Sequence, residues 1–344
     1  MCTRKLNFWR VLVTIAGIVA VIVSIKNVSK GDSDNISMYK SAWIRYGKNP
    51  VIELGIDGSW DAGRILEPSV VFFNNQYYMY YSGNIASGSG GIYNWSVGLA
   101  TSSDGYTWTK NAKNPVFTKN TSGFDSNAVW EASVIEVSSK LYMYYTSTNS
   151  AGELNIGMAT STNGIDWTRQ GQVLTGAREP GVYYENGVFY LFYSKNSINL
   201  ATSSDGITFA RNEVVIDKTQ HWEYHGLIEC PSVTKISGLP YKYYMTYISV
   251  ADSEIPRKWR IGLAYSNDLY TWTKFPEPLN PFFINGIASF ESFAVTAPSN
   301  FIEIGKNILM YYDAHNGIAN NQIGVATIPR KQIFPEALLL KLGK

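Results

Sequence analysis

The sequence is poor in cysteine, histidine and charged residues. Of its 344 residues, two are cysteines, three are histidines and 16% are charged, and the formal net charge is +2. Cys2 and Cys230 lie on opposite sides of the longest apolar run, so we expect no disulfide. Three histidines without paired spacing argue against a transition-metal site. Basic residues form no run beyond the N-terminus, so nothing indicates a surface for nucleic acid.

The longest apolar run stands near the N-terminus. Three basic residues lie among the first ten, and residues 11–25 carry no charge. This order is typical of an export signal, and no cleavage site of small residues follows it. The run is short for a membrane span, which takes about 20 residues. We expect residues 1–27 to form one hydrophobic helix, an uncleaved signal anchor that leaves the rest of the chain on the extracytoplasmic side. The alternative is a cleaved signal peptide and a secreted protein. Residues 28–40 are predicted to be a polar linker.

What the sequence has in abundance is a repeated pattern of strands. The stretch VGLATSSDGYTWTK starts at Val97, and each copy predicts a strand, a tight turn of the Asp-Gly type and a second strand. Two further strands, the second rich in tyrosine, precede each copy. The further copies start at Ile156, Ile198, Ile261 and, shortened, Ile323; the preceding strand pairs start at Glu67, Glu131, Glu179, Glu229 and Ala297.

These repeats predict an all-β fold. Five units of four strands, each of the size of a propeller blade, predict a five-bladed β-propeller over residues 41–335, followed by a tail of residues 336–344. Residues 43–53, WIRYGKNPVIE, resemble the outer strand that the fifth unit lacks. We expect this N-terminal strand to complete blade five and to close the ring, which hides two sheet edges.

Acidic residues open four of the five inner strands. Inner strands line the central channel of a propeller, so these glutamates are predicted to approach one axis, and Ala297 to break the series. Like charges in a semi-enclosed site raise some pKa values, which leaves a carboxylic acid beside a carboxylate, the pair that glycoside hydrolysis needs. The alternative is a repeated structural role. A similar repeated box of an aromatic and an acidic residue is interpreted as blade packing; it comprises Trp60-Asp61, Phe124-Asp125, Trp222-Glu223 and Phe290-Glu291.

The residues flanking these glutamates match a known set. The chain resembles the five-bladed propeller glycosidases, namely the family 43 arabinanases and xylosidases and the related family 32 fructosidases. The matching motifs are Glu67-Pro68, Trp130-Glu131-Ala132, Arg178-Glu179-Pro180 and Glu229-Cys230-Pro231. The resemblance implies that Glu229 is the general acid, Glu67 the base or nucleophile, and Glu179 a modulator of the acid. Those families have Asp in blades one and three, and the longer Glu moves the carboxyl by on the order of 1 Å.

The resemblance also suggests residues that hold the substrate. Arg178 is expected to bind sugar hydroxyls or to support Glu179, and Trp130 to stack on a sugar ring. Family 43 enzymes often place a histidine near the axis, sometimes beside a calcium ion. The resemblance therefore allows a structural Ca²⁺ in the central channel, while no cofactor is required. The candidate substrate-binding residues are Glu131, Trp130, Arg178, His225 and His315.

The sequence thus predicts a membrane-anchored, monomeric glycoside hydrolase that acts on an oligo- or polysaccharide. Two alternatives stay open. One is a carbohydrate-binding propeller without turnover, which the Asp-to-Glu exchanges favour, and the other is a glycoside phosphorylase that acts on mannosides. A sialidase is disfavoured, because the SSDGYTW turn is one residue shorter than the Asp-box of that group and the chain has five repeats rather than six.

Overall fold

The structure, a computed structural model, describes residues 42–85, 94–224, 226–250, 258–317 and 321–333. Its regular structure is almost entirely β-strand. The strands in chain order are β1 (Ile44–Arg45), β2 (Arg64–Phe73), β3 (Gln76–Asn84), β4 (Ser96–Ser102), β5 (Thr109–Lys110), β6 (Ala128–Val137), β7 (Lys140–Thr148), β8 (Leu154–Ser161), β9 (Thr168–Thr175), β10 (Arg178–Glu185), β11 (Val188–Lys195), β12 (Ser197–Ser203), β13 (Ala210–Ile216), β14 (Ile228–Lys235), β15 (Tyr243–Ser249), β16 (Arg260–Ser266), β17 (Thr273–Lys274), β18 (Ala294–Thr296), β19 (Ile302–Ile304), β20 (Asn307–His315) and β21 (Gln322–Pro329). The described 3₁₀ helices span His221–Glu223, Ser289–Glu291 and Arg330–Gln332.

The strands form five antiparallel sheets, each of which is one blade. Blades one to four are β2 to β5, β6 to β9, β10 to β13 and β14 to β17, with the strands paired in chain order. In blade five, β18 and β19 both pair with β20, which pairs with β21. The predicted five-bladed propeller of four-stranded blades is confirmed.

The N-terminal strand closes the ring, as the sequence predicts. Ile44 of β1 pairs with Thr327 and Arg45 with Ala326, so the outer strand of blade five comes from the start of the propeller. An isolated bridge between Ile52 and Ile323 extends this pairing. The closure removes an open edge from the last sheet, where an unpaired strand would offer free N–H and C=O groups.

The aromatic-acid boxes are packing devices, which confirms their structural interpretation. In blade four, Glu223 is fully buried, accepts a hydrogen bond from the Tyr247 hydroxyl at 2.9 Å and forms a 2.6 Å ion pair with Lys274. A buried carboxylate needs such partners, because leaving water without them costs several kcal/mol. The equivalent groups in the other boxes are Asp61 with Tyr81 and Lys110, Asp125 with Tyr145 and Arg169, and Glu291 with Tyr312 and Arg45.

The repeated turn between the third and fourth strands is held by its own side chains. In blade one, Asp104 Oδ1 accepts hydrogen bonds from the amides of Tyr106 and Thr107, and Trp108 Nε1 donates to the Gly105 carbonyl. Gly105 has a φ of +76°, a value that glycine adopts at little cost. The side-chain acceptor recurs at Asn163, Asp205 and Asp268, each of which accepts a hydrogen bond from the amide two residues further on.

The predicted segments outside the propeller fall beyond the described residues. These are the hydrophobic helix of residues 1–27, the linker of residues 28–40 and the tail of residues 336–344. In the part of the chain that the structure describes, no helix has the length and apolarity that a membrane span requires.

Candidate active site

Every inner strand of blades one to four is interrupted by a bulge as it reaches the central channel. In blade one the pairing of β2 with β3 shifts between Leu66 and Ser69, and Glu67 in between has a φ of +57°. Such a backbone is costly for residues other than glycine, so its recurrence indicates a constraint that every blade shares. Bulges re-aim a side chain, here toward the axis. The residues at this position are Glu67, Glu131, Glu179, Cys230 and, in blade five, Ala297.

The bulges correct one expectation from the sequence. Four glutamates were expected at equivalent positions, but in blade four Cys230 has the positive φ of +54° and the pairing shifts between Glu229 and Ser232. Glu229 stands one residue earlier, where blade three has Arg178. The expectation was wrong because blade four has an extra residue, ECP in place of EP, between its glutamate and its proline.

The bulge residues enclose a pocket on the propeller axis. Its cavity volume is about 50 Å³, and all five blades contribute to its wall. Three carboxylates face it, together with a thiol and small or apolar side chains. The lining residues are Glu67, Pro68, Ser69, Glu131, Ala132, Ser133, Glu179, Pro180, Cys230, Pro231, Ser232, Ala297 and Pro298.

Arg178 connects the carboxylates of blades three and four. Its guanidinium forms an ion pair with Glu229, and Nη1 lies 3.6 Å from Oε1 of Glu179. Both glutamates are buried, whereas the side chain of Arg178 is about a third exposed. Glu229 and Arg178 are brought together, although neither belongs to the wall of the axial pocket. The expected support of Glu179 by Arg178 is therefore a close electrostatic contact.

Hydrogen bonds from the bulge amides join blades two, three and four to the blade before each of them. Glu131 N donates to Ser82 Oγ at 2.8 Å. Glu179 N donates to Thr146 Oγ1 at 2.8 Å and to Glu131 Oε2 at 3.1 Å. Cys230 N donates to Glu179 Oε2 at 3.1 Å. The structural interpretation therefore holds for Glu131 and Glu179, which also line the pocket, and their functional interpretation stays a prediction.

Asp313 makes the same connection between blades five and one, and sequence reasoning missed it. Its Oδ1 accepts the Glu67 amide at 3.0 Å, and its Oδ2 accepts hydrogen bonds from the Thr296 hydroxyl and, at 3.0 Å, from Asn321 Nδ2. The side chain is fully buried. A signal was available, because YYD at residues 311–313 replaces the YYS and YYT of blades one and two.

The carboxyl groups around the pocket differ in proton affinity. Burial, then the charges of Glu131 and Asp313, raise the pKa of Glu67 well above its usual range, against the hydrogen bond from Ser82. Burial and Glu179 raise the pKa of Glu131 to about 7. Burial raises the pKa of Asp313 to about 6. The site therefore holds carboxyl groups that carry protons near neutral pH beside a carboxylate paired with arginine, which is the combination that acid–base catalysis uses.

The remaining candidate residues from the sequence, Trp130, His315 and His225, lie in different surroundings or outside the described residues. Trp130 is buried against Trp95 and donates a hydrogen bond that lowers the pKa of Glu131, so its ring is not open for stacking. His315 is partly exposed at the end of β20, where its ring lies 5.1 Å from that of Phe293. Burial and nearby Arg64 lower the pKa of His315. His225 lies outside the described residues.

The oxygens at the pocket are a poor match for the calcium ion that the resemblance allows. Oε2 of Glu131 and Oε2 of Glu179 both accept backbone amides of the next blade. Among the described residues, no three His, Cys, Asp or Glu side chains are grouped so that they could hold a metal ion. We derive no step through a metal, and the calcium stays a prediction.

The sequence profile of the glycosyl hydrolases family 32 N-terminal domain matches residues 68–271, a range that includes the bulges of blades two, three and four. The chain belongs to this family. The resemblance to propeller glycoside hydrolases is thereby confirmed.

Individual proteins resemble this chain in part of its sequence or in its fold. A 1,2-beta-oligomannan phosphorylase from Thermoanaerobacter sp. (strain X514) is 32% identical over 123 residues, which are 32% of this chain and 38% of that protein. The match thus spans about two fifths of the relative's length. A glycosyl hydrolase from Bacteroides ovatus has a TM-score of 0.70 at 19% identity, with 84% of this chain and 94% of that chain covered. A thermostable family-43 glycoside hydrolase has a TM-score of 0.60 at 19% identity, with 80% and 91% covered. At these identities the two structures demonstrate a shared fold.

Proposed function

We propose that the chain is a glycoside hydrolase that cleaves a glycan at the axial pocket. Glu229 is the general acid, Glu67 the base or nucleophile, and Glu179 the modulator that acts through Arg178. One observation carries this proposal, namely that three carboxyl groups line the pocket where all five blades converge and that Arg178 connects one of them, Glu179, to a fourth carboxyl, Glu229. Glu67 lies among other carboxylates, whereas Glu229 is paired with a cation. Two carboxyl groups of unequal proton affinity are the recurring equipment of glycosidases.

The contacts of Glu67 and Glu229 put a condition on these roles. The raised pKa of Glu67 favours a proton on that carboxyl, and Arg178 favours an ionised Glu229. The proposed roles need the opposite distribution, so the proton moves from Glu67 to Glu229 when a sugar displaces water and engages Arg178. Because the two distributions share one net proton, both give the same bell-shaped pH profile. The roles are therefore assigned by the dependence on the leaving group.

Substrate binding is proposed for the groups around this pair. Glu131 faces the pocket, Arg178 is accessible from outside, and His315 lies at the same end of its blade as the bulge. His225 is included because it precedes Glu229 by four residues. Trp130 contributes by holding Glu131 through its hydrogen bond.

We also propose that residues 1–27 anchor a monomeric propeller on the extracytoplasmic side, since three basic residues precede an uncharged apolar run.

A turnover assay tests the proposal. The purified protein is offered aryl glycosides and β-linked oligosaccharides of several sugars, including mannosides, arabinosides, xylosides and fructans, with Glu229→Gln as the matched control. We expect measurable hydrolysis by the wild type and at least a hundredfold loss in the variant on unactivated substrates. Equal absence of turnover in both proteins, together with retained glycan binding, would favour the carbohydrate-binding propeller instead.

A second candidate function is a glycoside phosphorylase. It is favoured by the identity of 32% to a 1,2-beta-oligomannan phosphorylase over 123 residues. A phosphorylase uses inorganic phosphate in place of water, so a requirement for phosphate distinguishes the two candidate functions. Turnover of β-1,2-linked mannosides that requires phosphate and releases mannose 1-phosphate supports the phosphorylase, whereas phosphate-independent release of free sugar supports the hydrolase.

A further inference from the structure

One position of the second strand of each blade repeatedly faces the axis. It is the position that pairs with the residue just before the bulge. Blades one, two and three have hydroxyl groups there, on Ser82, Thr146 and Ser194, opposite Leu66, Trp130 and Arg178. Blade four has Ile248 there, opposite Glu229, and blade five has a carboxylate, Asp313, opposite Thr296.

A hydroxyl is sufficient for the structural part of this position. Ser82 Oγ and Thr146 Oγ1 each accept the bulge amide of the next blade at 2.8 Å, as Asp313 Oδ1 does for Glu67 at 3.0 Å. Burying a carboxylate costs far more than burying a hydroxyl. Asp313 is fully buried, and its recorded hydrogen-bond partners are a hydroxyl, an amide side chain and a backbone N–H, none of them a cation. What Asp313 adds over a hydroxyl is a negative charge, placed beside Glu67.

We propose that Asp313 is a positioning residue, which fixes the backbone of Glu67 at the axis through its hydrogen bond and places a negative charge beside the Glu67 carboxyl. This inference rests on the proposed role of Glu67 as the base or nucleophile. It gives a reason for a carboxylate at the junction that leads to Glu67, where blades one and two use a hydroxyl.

Several groups from other strands also act on Glu67. The Ser82 hydroxyl on β3 donates to Glu67 Oε2 at 2.8 Å, which stabilises the ionised form. Glu131 on β6 and Glu179 on β10 add negative charge, and Arg178 on β10 adds positive charge. The Cys230 thiol on β14 completes the surroundings, and the charge of Glu67 helps to raise its pKa.

Asp313 and Ser82 shift the pKa of Glu67 in opposite directions. A neighbouring negative charge disfavours ionisation, so Asp313 raises the pKa of Glu67. A donated hydrogen bond favours ionisation, so Ser82 lowers it. Removal of the Asp313 charge and removal of the Ser82 hydroxyl must therefore move the titration of Glu67 in opposite directions. A general loosening of the pocket would move it in the same direction in both variants, toward the usual value.

The experiment follows the titration of Glu67 by NMR in the full chain with ¹³C-labelled glutamate carboxyls. The Glu67 signal is assigned by its loss in Glu67→Gln. We expect Asp313→Asn, which keeps an acceptor oxygen, to lower the Glu67 midpoint by about one pH unit, and Ser82→Ala to raise it. Asp313→Thr copies the hydroxyl of blade two and serves if the Asn variant does not fold; it should lower the midpoint equally.

The results that would overturn the inference are distinct from failure of the proposed function. An unchanged midpoint in both Asp313 variants, while Ser82→Ala shifts, overturns it, and so do shifts of one sign in all variants. The measurement does not depend on turnover, so an inactive protein leaves this test in force. In an active protein, the limb of the pH profile that Glu67 controls should move down by the same amount in Asp313→Asn.

Discussion

The backbone N–H of Cys230 donates a 3.1 Å hydrogen bond to Oε2 of Glu179, across the boundary between blades three and four. The other carboxylate oxygen of Glu179 lies 3.6 Å from Arg178. One side chain thus joins two blades and balances the cation that holds Glu229. The same side chains form the site and connect the blades, so variants at the axis need both a stability and an activity measurement.

Two replacements of Glu179 distinguish its structural role from its role in activity. Glu179→Gln keeps an oxygen for the Cys230 amide, whereas Glu179→Ala leaves that amide unpaired. We expect Ala to cost about 1–3 kcal/mol of the free energy of unfolding and Gln clearly less, while both lose most of the activity. Urea denaturation and turnover of the same preparations check this. Equal destabilisation by Gln and Ala would show that the hydrogen bond contributes nothing.

The box in blade four is expected to affect stability and not chemistry. Lys274→Met removes the cation that pairs with Glu223. The Glu223 side chain has an exposure of 0%, so water cannot replace that cation. Breaking a buried pair in this way should cost about 3 kcal/mol, with the specific activity of the folded fraction unchanged. Thermal and urea denaturation measure the loss, and Lys113→Met, at an exposed lysine, should change stability by less than about 0.5 kcal/mol. A large fall in kcat at full folding would place the box in the active site.

The pH dependence of stability should report Glu131. Burial and Glu179 raise its pKa to about 7, whereas a glutamate in the unfolded chain titrates near 4.3. The folded protein therefore binds this proton more tightly, and the contribution of Glu131 to stability is lost as the pH rises from about 4.3 to 7. Relative to Glu131→Gln, the wild type should lose on the order of 3 kcal/mol across this window.

Melting temperatures between pH 4 and 8 measure that difference. Glu136→Gln, at an exposed glutamate of the same strand, is the control and should parallel the wild type. Parallel curves for the wild type and Glu131→Gln would mean that Glu131 stays ionised in the fold.

The sequence predicted the blades because their signals are local. Alternating aromatic strands and Asp-Gly turns recur at short range, and the turn at Asp104 is held by residues within three positions of it. The register of blade four was misjudged because the glutamates were aligned. An alignment of the prolines predicts the correct register, because Pro68, Pro180 and Pro231 each follow a bulge residue.

The contacts at the site could not be predicted in the same way. Asp313 bonds to Glu67 across 246 positions of sequence, and only the closed ring brings them together. Trp130 belongs to a motif that suggested sugar stacking, yet packing against Trp95 buries it. The pairing of Arg178 with Glu229 likewise depends on the bulge in blade four, which the spacing of charges along the chain does not reveal.

The most direct test of the account compares leaving groups in Glu229→Gln and Glu67→Gln. A variant that lacks its acid loses activity on substrates with poor leaving groups and keeps most of it on aryl glycosides with good ones, because these depart without a proton. We predict this behaviour for Glu229→Gln, and for Glu67→Gln a loss on both substrate types. The reverse pattern would exchange the two roles, and full activity of both variants on both substrates would contradict glycoside cleavage by these carboxyl groups.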